Sequence, residues 1–307
     1  KDIECFESFE ASDGQVDCSY LFLKNLVRDS KKIEESFLDE AAVIASDIFE
    51  DSKIICLFPS ATKFNKNNDV EQFLSKIGII YKKEIYLNEL GSINLMKELY
   101  KDEEWAEANG RTGYPQKAGL CFDNFESPLI VYLIRANLEE SIAIKNTIRN
   151  FFNIGKHSLH INDTHEQTKR VARVVFNKNS IHYLNNARYS ENFRRMFKYF
   201  ENLPKNNDNF CLTASIVLAS YGLREAKDID YLYLEKELED CNKELVSSHN
   251  QYIELYYPDD LQELILNPKN YFFFNGIKFL TLKNVHLMKQ KRNEEKDLND
   301  LKMIENI

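Results

Sequence analysis

Leu212 to Leu234, LTASIVLASYGLREAKDIDYLYL, brings two carboxylates to the start of an apolar strand. Residues two apart on a strand share a face, so Asp228 and Asp230 point one way while Ile229 and Tyr231 point the other. Two carboxylates on one face repel each other unless a cation sits between them, and Mg2+ prefers such oxygen ligands. Paired divalent ions held this way can align a triphosphate with an attacking hydroxyl. Upstream, the small residues Thr213, Ala214 and Ser215 open a helix that ends near Gly222. The plain alternative for Asp228 and Asp230 is a pair of solvated turn carboxylates.

A second cluster is KHSLHINDTHE, Lys156 to Glu166, which holds His157, His160 and His165, half of the six histidines of the chain. Histidines and carboxylates at this density suit a metal site or acid–base chemistry. The spacing matches neither HExxH nor the C2H2 zinc pattern. The stretch from Thr164 reads as a helix whose N-terminus favours anions, and Lys156, Lys169, Arg170 and Arg173 add positive charge. The cluster could therefore contact phosphate or nucleotide, or hold a transition metal, beside a plain role in capping and surface polar contacts.

Weaker features have structural explanations. Gly91-Ser92 followed by Asp102-Glu103-Glu104 imitates a small pair ahead of acids, but Asp102 is followed by Glu and the region reads as helix. Arg188, Arg194, Arg195 and Lys198 interleave with Tyr189, Phe193 and Phe197. Such a pattern could bind single-stranded nucleic acid, yet at helical spacing the aromatics suit a core. Trp105 reads as a core tryptophan or the wall of a sugar or base pocket.

These groups need elements to hold them. The apolar runs KIICLFP (Lys53–Pro59) and PLIVYLIR (Pro128–Arg135) predict buried strands. Strands are also expected at Ile79–Leu87, Asp228–Leu234 and Tyr252–Tyr257, with a short one within Gly155–Asp163. Helices are expected at 39–50, 70–78, 92–107, 138–152, 164–176, 212–223, 235–246, 282–291 and 294–304. Thr164 with Gln167 forms a capping-box pattern. NGRTGYPQK, Asn109 to Lys117, reads as a loop, and Asn275-Gly276 as a hairpin turn. The proline and polar cluster in Met196 to Asp208 predicts a boundary, with a mixed α/β region over 1–204 and a second domain over 205–307.

Composition narrows the classes. The 307 residues carry 40 Lys+Arg and 49 Asp+Glu, a net charge of −9, and 43% are hydrophobic. That is enough apolar material for a core, which excludes global disorder. The acidic balance makes duplex nucleic acid an improbable partner, since phosphates call for a basic face. Six scattered cysteines without a CxxC read as thiols in a reducing, cytoplasmic compartment. No apolar run reaches the roughly 18 residues of a membrane span. The chain begins at Lys1, which reads as a processed or excised segment.

Ala214-Ser215, a spacer and Asp228-Ile229-Asp230 resemble the DNA polymerase β-like nucleotidyltransferase superfamily. Its signature is a Gly-Ser or similar small pair followed by an Asp-hydrophobic-Asp strand. Tyr221-Gly222-Leu223-Arg224 looks like the wording of its small bacterial members. Asn275 to Leu301 is similar to the tail of minimal nucleotidyltransferases, with Met288-Lys289 on a helix before Lys296-Asp297-Leu298-Asn299-Asp300. Together these pieces cover about the last third of the chain.

The resemblance implies an α/β (α+β) fold, a mixed sheet with flanking helices. It also implies Mg2+- or Mn2+-dependent transfer of a nucleotidyl group from an NTP to a small-molecule, sugar or protein acceptor. Asp228 and Asp230 would hold the metal, and Glu254 in YIELYY would supply the third carboxylate. Ser215 and Thr213, with neighbouring backbone N–H groups, would hold the triphosphate, and Arg224 and Lys289 would contact it. Ala214 departs from the family's glycine, and Glu254 from its aspartate. Two alternatives stand beside this. One is a degenerate nucleotidyltransferase fold that only binds. The other is a glycan-pathway glycosyl- or phosphosugar transferase using the three histidines.

Overall fold

The computed structural model describes residues 35–103, 105, 113–189, 191–200, 203–238 and 244–307. Cys5, Cys18 and Cys241 lie outside these residues. Cys56, Cys121 and Cys211 are buried free thiols. The chain forms two compact units, one from residues up to 86 plus 109–176, the other from 87–108 plus 177–307. The division does not fall at the proline-bearing segment near 204. The side chains of 87–99 explain why: Asn94 Nδ2 donates to the carbonyls of Leu184 and Ala187, both at 2.8 Å. Asn88 likewise donates twice to Asn185, from its backbone N–H to Oδ1 and from its Nδ2 to the carbonyl.

The chain opens the first unit with α1 (Glu35–Ile48), β1 (Ser52–Leu57), α2 (Pro59–Thr62), α3 (Asn67–Leu74) and β2 (Ile79–Ile85). It crosses to the second unit for α4 (Glu89–Leu99). It returns for α5 (Gly113–Cys121), β3 (Leu129–Arg135), α6 (Leu138–Phe152), β4 (Leu159–Ile161) and α7 (His165–Val175). The loop expected over 109–117 is helical from Gly113, and its first four residues lie outside the described ones. Pro115 falls in the first turn, where its missing N–H costs no helical bond.

The four strands are antiparallel in the order β2-β3-β1-β4. One face packs Ile55, Leu57, Ile130, Tyr132, Ile134, Leu159 and Ile161 under α3 and α6. The opposite face of β1 lies under α7. With both faces covered, the central strands are apolar over 54–57 and 129–134, which accounts for the unbroken runs in the sequence.

The second unit continues with α8 (Lys178–Asn186), α9 (Glu191–Phe200), β5 (Phe210–Thr213), α10 (Ser215–Tyr221), β6 (Ile229–Tyr233) and β7 (Val246–Ser248). Then come α11 (Ile253–Tyr256), α12 (Leu261–Leu266), β8 (Tyr271–Phe274), β9 (Ile277–Leu280), α13 (Leu282–Arg292) and α14 (Glu295–Ile304). Its mixed sheet runs β7-β6-β5-β9-β8. β5 is antiparallel to β6 and parallel to β9, and β6 is parallel to β7. Aromatics fill the core: Phe272 stacks on Phe279 at 5.1 Å and on Tyr183 of α8 at 4.4 Å.

Three sequence expectations change here. Leu212 lies within a strand instead of starting a helix, because β5 pairs on both edges. No helix forms at 235–238; residues 239–243 lie outside the described ones, and Val246 pairs with Ile229 as strand. The strand expected over Tyr252–Tyr257 is a turn of 3-10 helix at Asn250–Tyr252 followed by the short helix α11.

Candidate functional site

The site forms where β5 gives way to α10. Between them Ala214 adopts φ 56° and ψ −129°. That is backbone suited to glycine, and an alanine there stores of the order of 1–3 kcal/mol. The turn is sharp because Thr213 must remain in the sheet while Ser215 already begins a helix whose residues are all buried. Ser215 Oγ, at the first position of that helix, donates to Asp228 Oδ1 at 3.2 Å. Thr213 lies opposite Asp230 in the β5–β6 register. The small-residue turn and the Asp-Ile-Asp segment therefore do come together.

The two carboxylates differ in setting. Asp228 is exposed just ahead of β6, while Asp230 is buried within it. On its other side Asp230 faces Ser247 of β7, whose Oγ donates to Asp230 Oδ1 at 3.0 Å. His249 Nε2 lies 3.5 Å from the same oxygen. His249 Nδ1 meets the Tyr257 hydroxyl at 3.0 Å, and that hydroxyl meets Thr213 Oγ1 at 3.0 Å. Thr213, Tyr257, His249 and Asp230 thus make one buried polar chain, which reaches the surface at the exposed Ser247. Burial, aided by the negative charge of Asp228, raises the pKa of Asp230; His249, the Ser247 hydrogen bond and Arg292 oppose the shift without cancelling it. Burial lowers the pKa of His249, with Arg292 and Lys289 acting the same way against Asp230 and Asp228. Asp230 is thus a carboxylate that a nearby divalent cation would help to ionise.

The remaining residues implied by the resemblance are placed differently. Glu254 is exposed on α11, away from any strand, and offers its carbonyl to Lys291 at 3.1 Å. The strand beside β6 carries Ser247 where a third carboxylate would face Asp230. Asp260 caps α12 and accepts from the Glu263 N–H. Among the described residues no group of three or more His, Cys, Asp or Glu side chains is arranged to hold a metal ion. Mg2+ tolerates such a set, since it commonly takes one or two carboxylates and completes its shell with water and phosphate oxygens.

Arg224 and Lys289 belong to an ion-pair cluster. Arg224 binds Asp300 through Nε at 2.6 Å and a terminal nitrogen at 2.9 Å. Lys289 Nζ lies 3.1 Å from Asp297 Oδ1 and 2.7 Å from Asp300 Oδ2. Arg292 completes the cluster through two hydrogen bonds to Asp297. The Lys-Asp-x-x-Asp segment of the tail is accordingly a clamp between α13 and α14.

The three histidines of the first unit serve different elements. His165 opens α7, and its Nε2 binds the Ser46 carbonyl at 2.8 Å. His160 sits mid-β4, with Leu159 and Ile161 facing the core under α6, so its ring turns to the other face beside Cys56. Burial carries His160 down to about 3 and Cys56 up to about 12. Both stay neutral, so the pair is no thiolate–imidazolium nucleophile. His157 lies on the 3-10 turn Gly155–His157. Of the helix bases, Arg173 pairs with Asp47 and Lys169 with Glu166. Thr164 and Gln167 form the expected capping box.

The lesser candidates resolve into packing. Gly91 has room for no side chain: a Cβ there would meet Asn185 Oδ1 at 2.1 Å. Phe193 is buried against Phe200 and Phe279. Trp105 leans on Tyr100 and is partly exposed. Sequence reasoning missed Ser247, His249, Tyr257 and Arg292. None sits in a motif: the β6–β7 register and the fold of α11 bring Ser247, His249 and Tyr257 to the site, and the last turn of α13 brings the charge of Arg292 to bear on Asp230. Comparison with family models, curated proteins and solved structures returns no match.

Proposed function

We propose that the second unit binds a metal–nucleoside triphosphate at the β5–α10 turn and transfers its nucleotidyl group to an acceptor hydroxyl. The observation that carries this reading is the strained Ala214 turn, which presents Ser215 to Asp228 while Asp230 stands on the adjoining antiparallel strand. Asp228 and Asp230 would hold Mg2+ or Mn2+, which when bound neutralises charge on the phosphates. Ser215 and the N–H groups of the turn would bind phosphate oxygens. The acceptor oxygen would form a bond to the α-phosphorus as pyrophosphate leaves, and the hydroxyl proton passes to solvent or a base. The acidic chain suits a small-molecule, sugar or protein acceptor.

Ser247 favours a second reading, a unit that binds the metal–triphosphate without transferring it, because the neighbouring strand offers Asp230 a hydroxyl in place of a carboxylate. The glycan-pathway alternative rested on His157, His160 and His165 lining one pocket; they stand on a turn, a strand and a helix start.

Calorimetry with each of ATP, CTP, GTP and UTP plus Mg2+ or Mn2+, together with a pyrophosphate-release assay, tests both readings. Metal-dependent binding that disappears in Asp228→Asn/Asp230→Asn, with pyrophosphate released, supports transfer. The same binding without pyrophosphate supports the binding unit. If no triphosphate binds, both readings fall.

A further inference from the structure

The first unit gathers positive charge at one turn. We propose that Lys117, Arg149, Lys156 and His157 form a phosphate site that takes a phosphomonoester or free orthophosphate, independently of the second unit. Three elements contribute: α5 brings Lys117, the last turn of α6 brings Arg149, and the 3-10 turn brings Lys156 and His157. Lys117 Nζ donates to the Lys156 carbonyl at 2.9 Å, which ties α5 to the turn. Ser60 Oγ donates to the His157 carbonyl at 2.6 Å, and Ser158 Oγ to that of Gly155 at 2.7 Å. The turn is thus fixed before any ligand arrives.

Two independent observations point to an anion. The first is charge. Burial lowers the pKa of His157, and the charges acting on it, Lys117 and Lys156, push the same way. Lys117 is itself buried, and Lys156 and Arg149 are the cations acting on it, beside the Cys121 thiol. Lys117 is thus repelled by Lys156 and Arg149 and itself acts on His157, and an oxyanion among these groups would add an attractive term to each that offsets the repulsion. The second is hydrogen bonding. His157 Nδ1 and Arg149 Nε are buried atoms without a hydrogen-bond partner. A buried donor left unsatisfied costs about 1–3 kcal/mol. A phosphoryl group offers enough acceptor oxygens for both, and a guanidinium suits its geometry. There is also room beside the turn, since a Cβ built on Gly155 would meet nothing within 4 Å. Arg149 is well placed at the α6 C-terminus for the helix dipole, but that role leaves its Nε unbonded.

The test is NMR of the histidine rings in the full chain with metal chelated, titrated over pH without ligand, with millimolar orthophosphate, and with millimolar AMP. The expected result is that the His157 pKa rises on addition of ligand while His165 and His160 do not respond. Tighter saturation by AMP would identify a nucleotide phosphomonoester as the source, and equal or better saturation by orthophosphate the free anion. Arg149→Met should weaken the response about tenfold or more, the equivalent of one charge-assisted hydrogen bond. Lys156→Ala, at an exposed position, provides a second variant should Arg149→Met unfold. Asp228→Asn/Asp230→Asn should leave the response intact, which separates this site from the triphosphate reading. An unmoved His157 with both ligands, or a response unchanged in both variants, overturns the proposal.

Discussion

Lys289 is 1% exposed and sits between two carboxylates, Asp297 and Asp300, that are themselves 0% and 2% exposed. The resemblance reads this lysine as a nucleotide contact; the structure makes it a buried counter-ion. Replacement should therefore act on stability, and its size follows from the charges left behind. Lys289→Met removes one cation but leaves Arg292 on Asp297 and Arg224 on Asp300, so each carboxylate keeps an arginine partner. The cost is the lost Nζ bonds less the desolvation of the ammonium, about 1–3 kcal/mol. Asp297→Asn leaves Lys289 and Arg292 facing a neutral amide, with a buried ammonium short of one anion. Removing one partner of a buried pair costs about 3–5 kcal/mol. For a unit of roughly 150 residues the two variants should melt about 4–8 °C apart, with Asp297→Asn the lower. Urea and thermal unfolding of the full chain, followed by circular dichroism, measure this. Equal losses, a reversed order, or a Lys289→Met variant as stable as wild type with weakened triphosphate binding would refute the counter-ion argument.

The same cluster predicts an acid limit. Burial alone would raise the pKa of Asp297, but the hydrogen bonds from Arg292 and the Lys289 charge outweigh it and hold the group down at about 2. Asp300 shifts the same way, held down against burial by Arg224 and Lys289. A carboxylate of ordinary pKa near 3.9 when unfolded that is depressed when folded stabilises the protein above pH of about 4. That contribution is lost as pH falls toward about 2. Stability should therefore drop steeply in that window, and less steeply in Asp297→Asn; parallel slopes would count against it. Ala214 gives the other prediction. Ala214→Gly relieves the backbone but loses a buried methyl and gains unfolded-state freedom, so melting should stay within about 1 kcal/mol of wild type. Ala214→Val places a β-branched residue at the same positive φ and should cost more than about 2 kcal/mol. A valine variant as stable as wild type would show that the turn is not strained.

Much of the first unit was legible because its sheet is covered on both faces. KIICLFP and PLIVYLIR are apolar at every buried position except Lys53, and Thr164 with Gln167 marks the start of α7 by chemistry that acts within four residues. Asn275-Gly276 was legible for the same reason: both residues take positive φ in the two-residue turn joining β8 to β9. What failed depends on distant partners. Tyr252–Tyr257 alternates like a strand, yet α11 is too short to display a helical period, and Tyr257 is turned inward by His249 and Thr213. β7 is three residues long, and nothing local announces that Val246 will pair with Ile229. Half of the candidate site lies in the motif, Asp228 and Asp230 by their spacing of two and Ser215 only through the resemblance. The other half, Ser247 and His249, exists only through that register. Arg224 and Lys289 misled because a cation that suits phosphate suits a buried aspartate equally well.

The path of the chain has a consequence for modularity. It passes between the two units three times, after residues 86, 108 and 176, so neither unit is a contiguous stretch. A gene truncated to 177–307 would lose α4, and with it Asn94, which donates to the carbonyls at the C-terminal end of α8, and Glu98 Oε1, which accepts the Asn275 N–H. A truncation to 35–176 would carry α4 as a stray helix with a buried glutamate and no site to fill. Recombination that exchanges whole cassettes cannot separate the two halves with a single cut, and inheritance has to treat them as one piece.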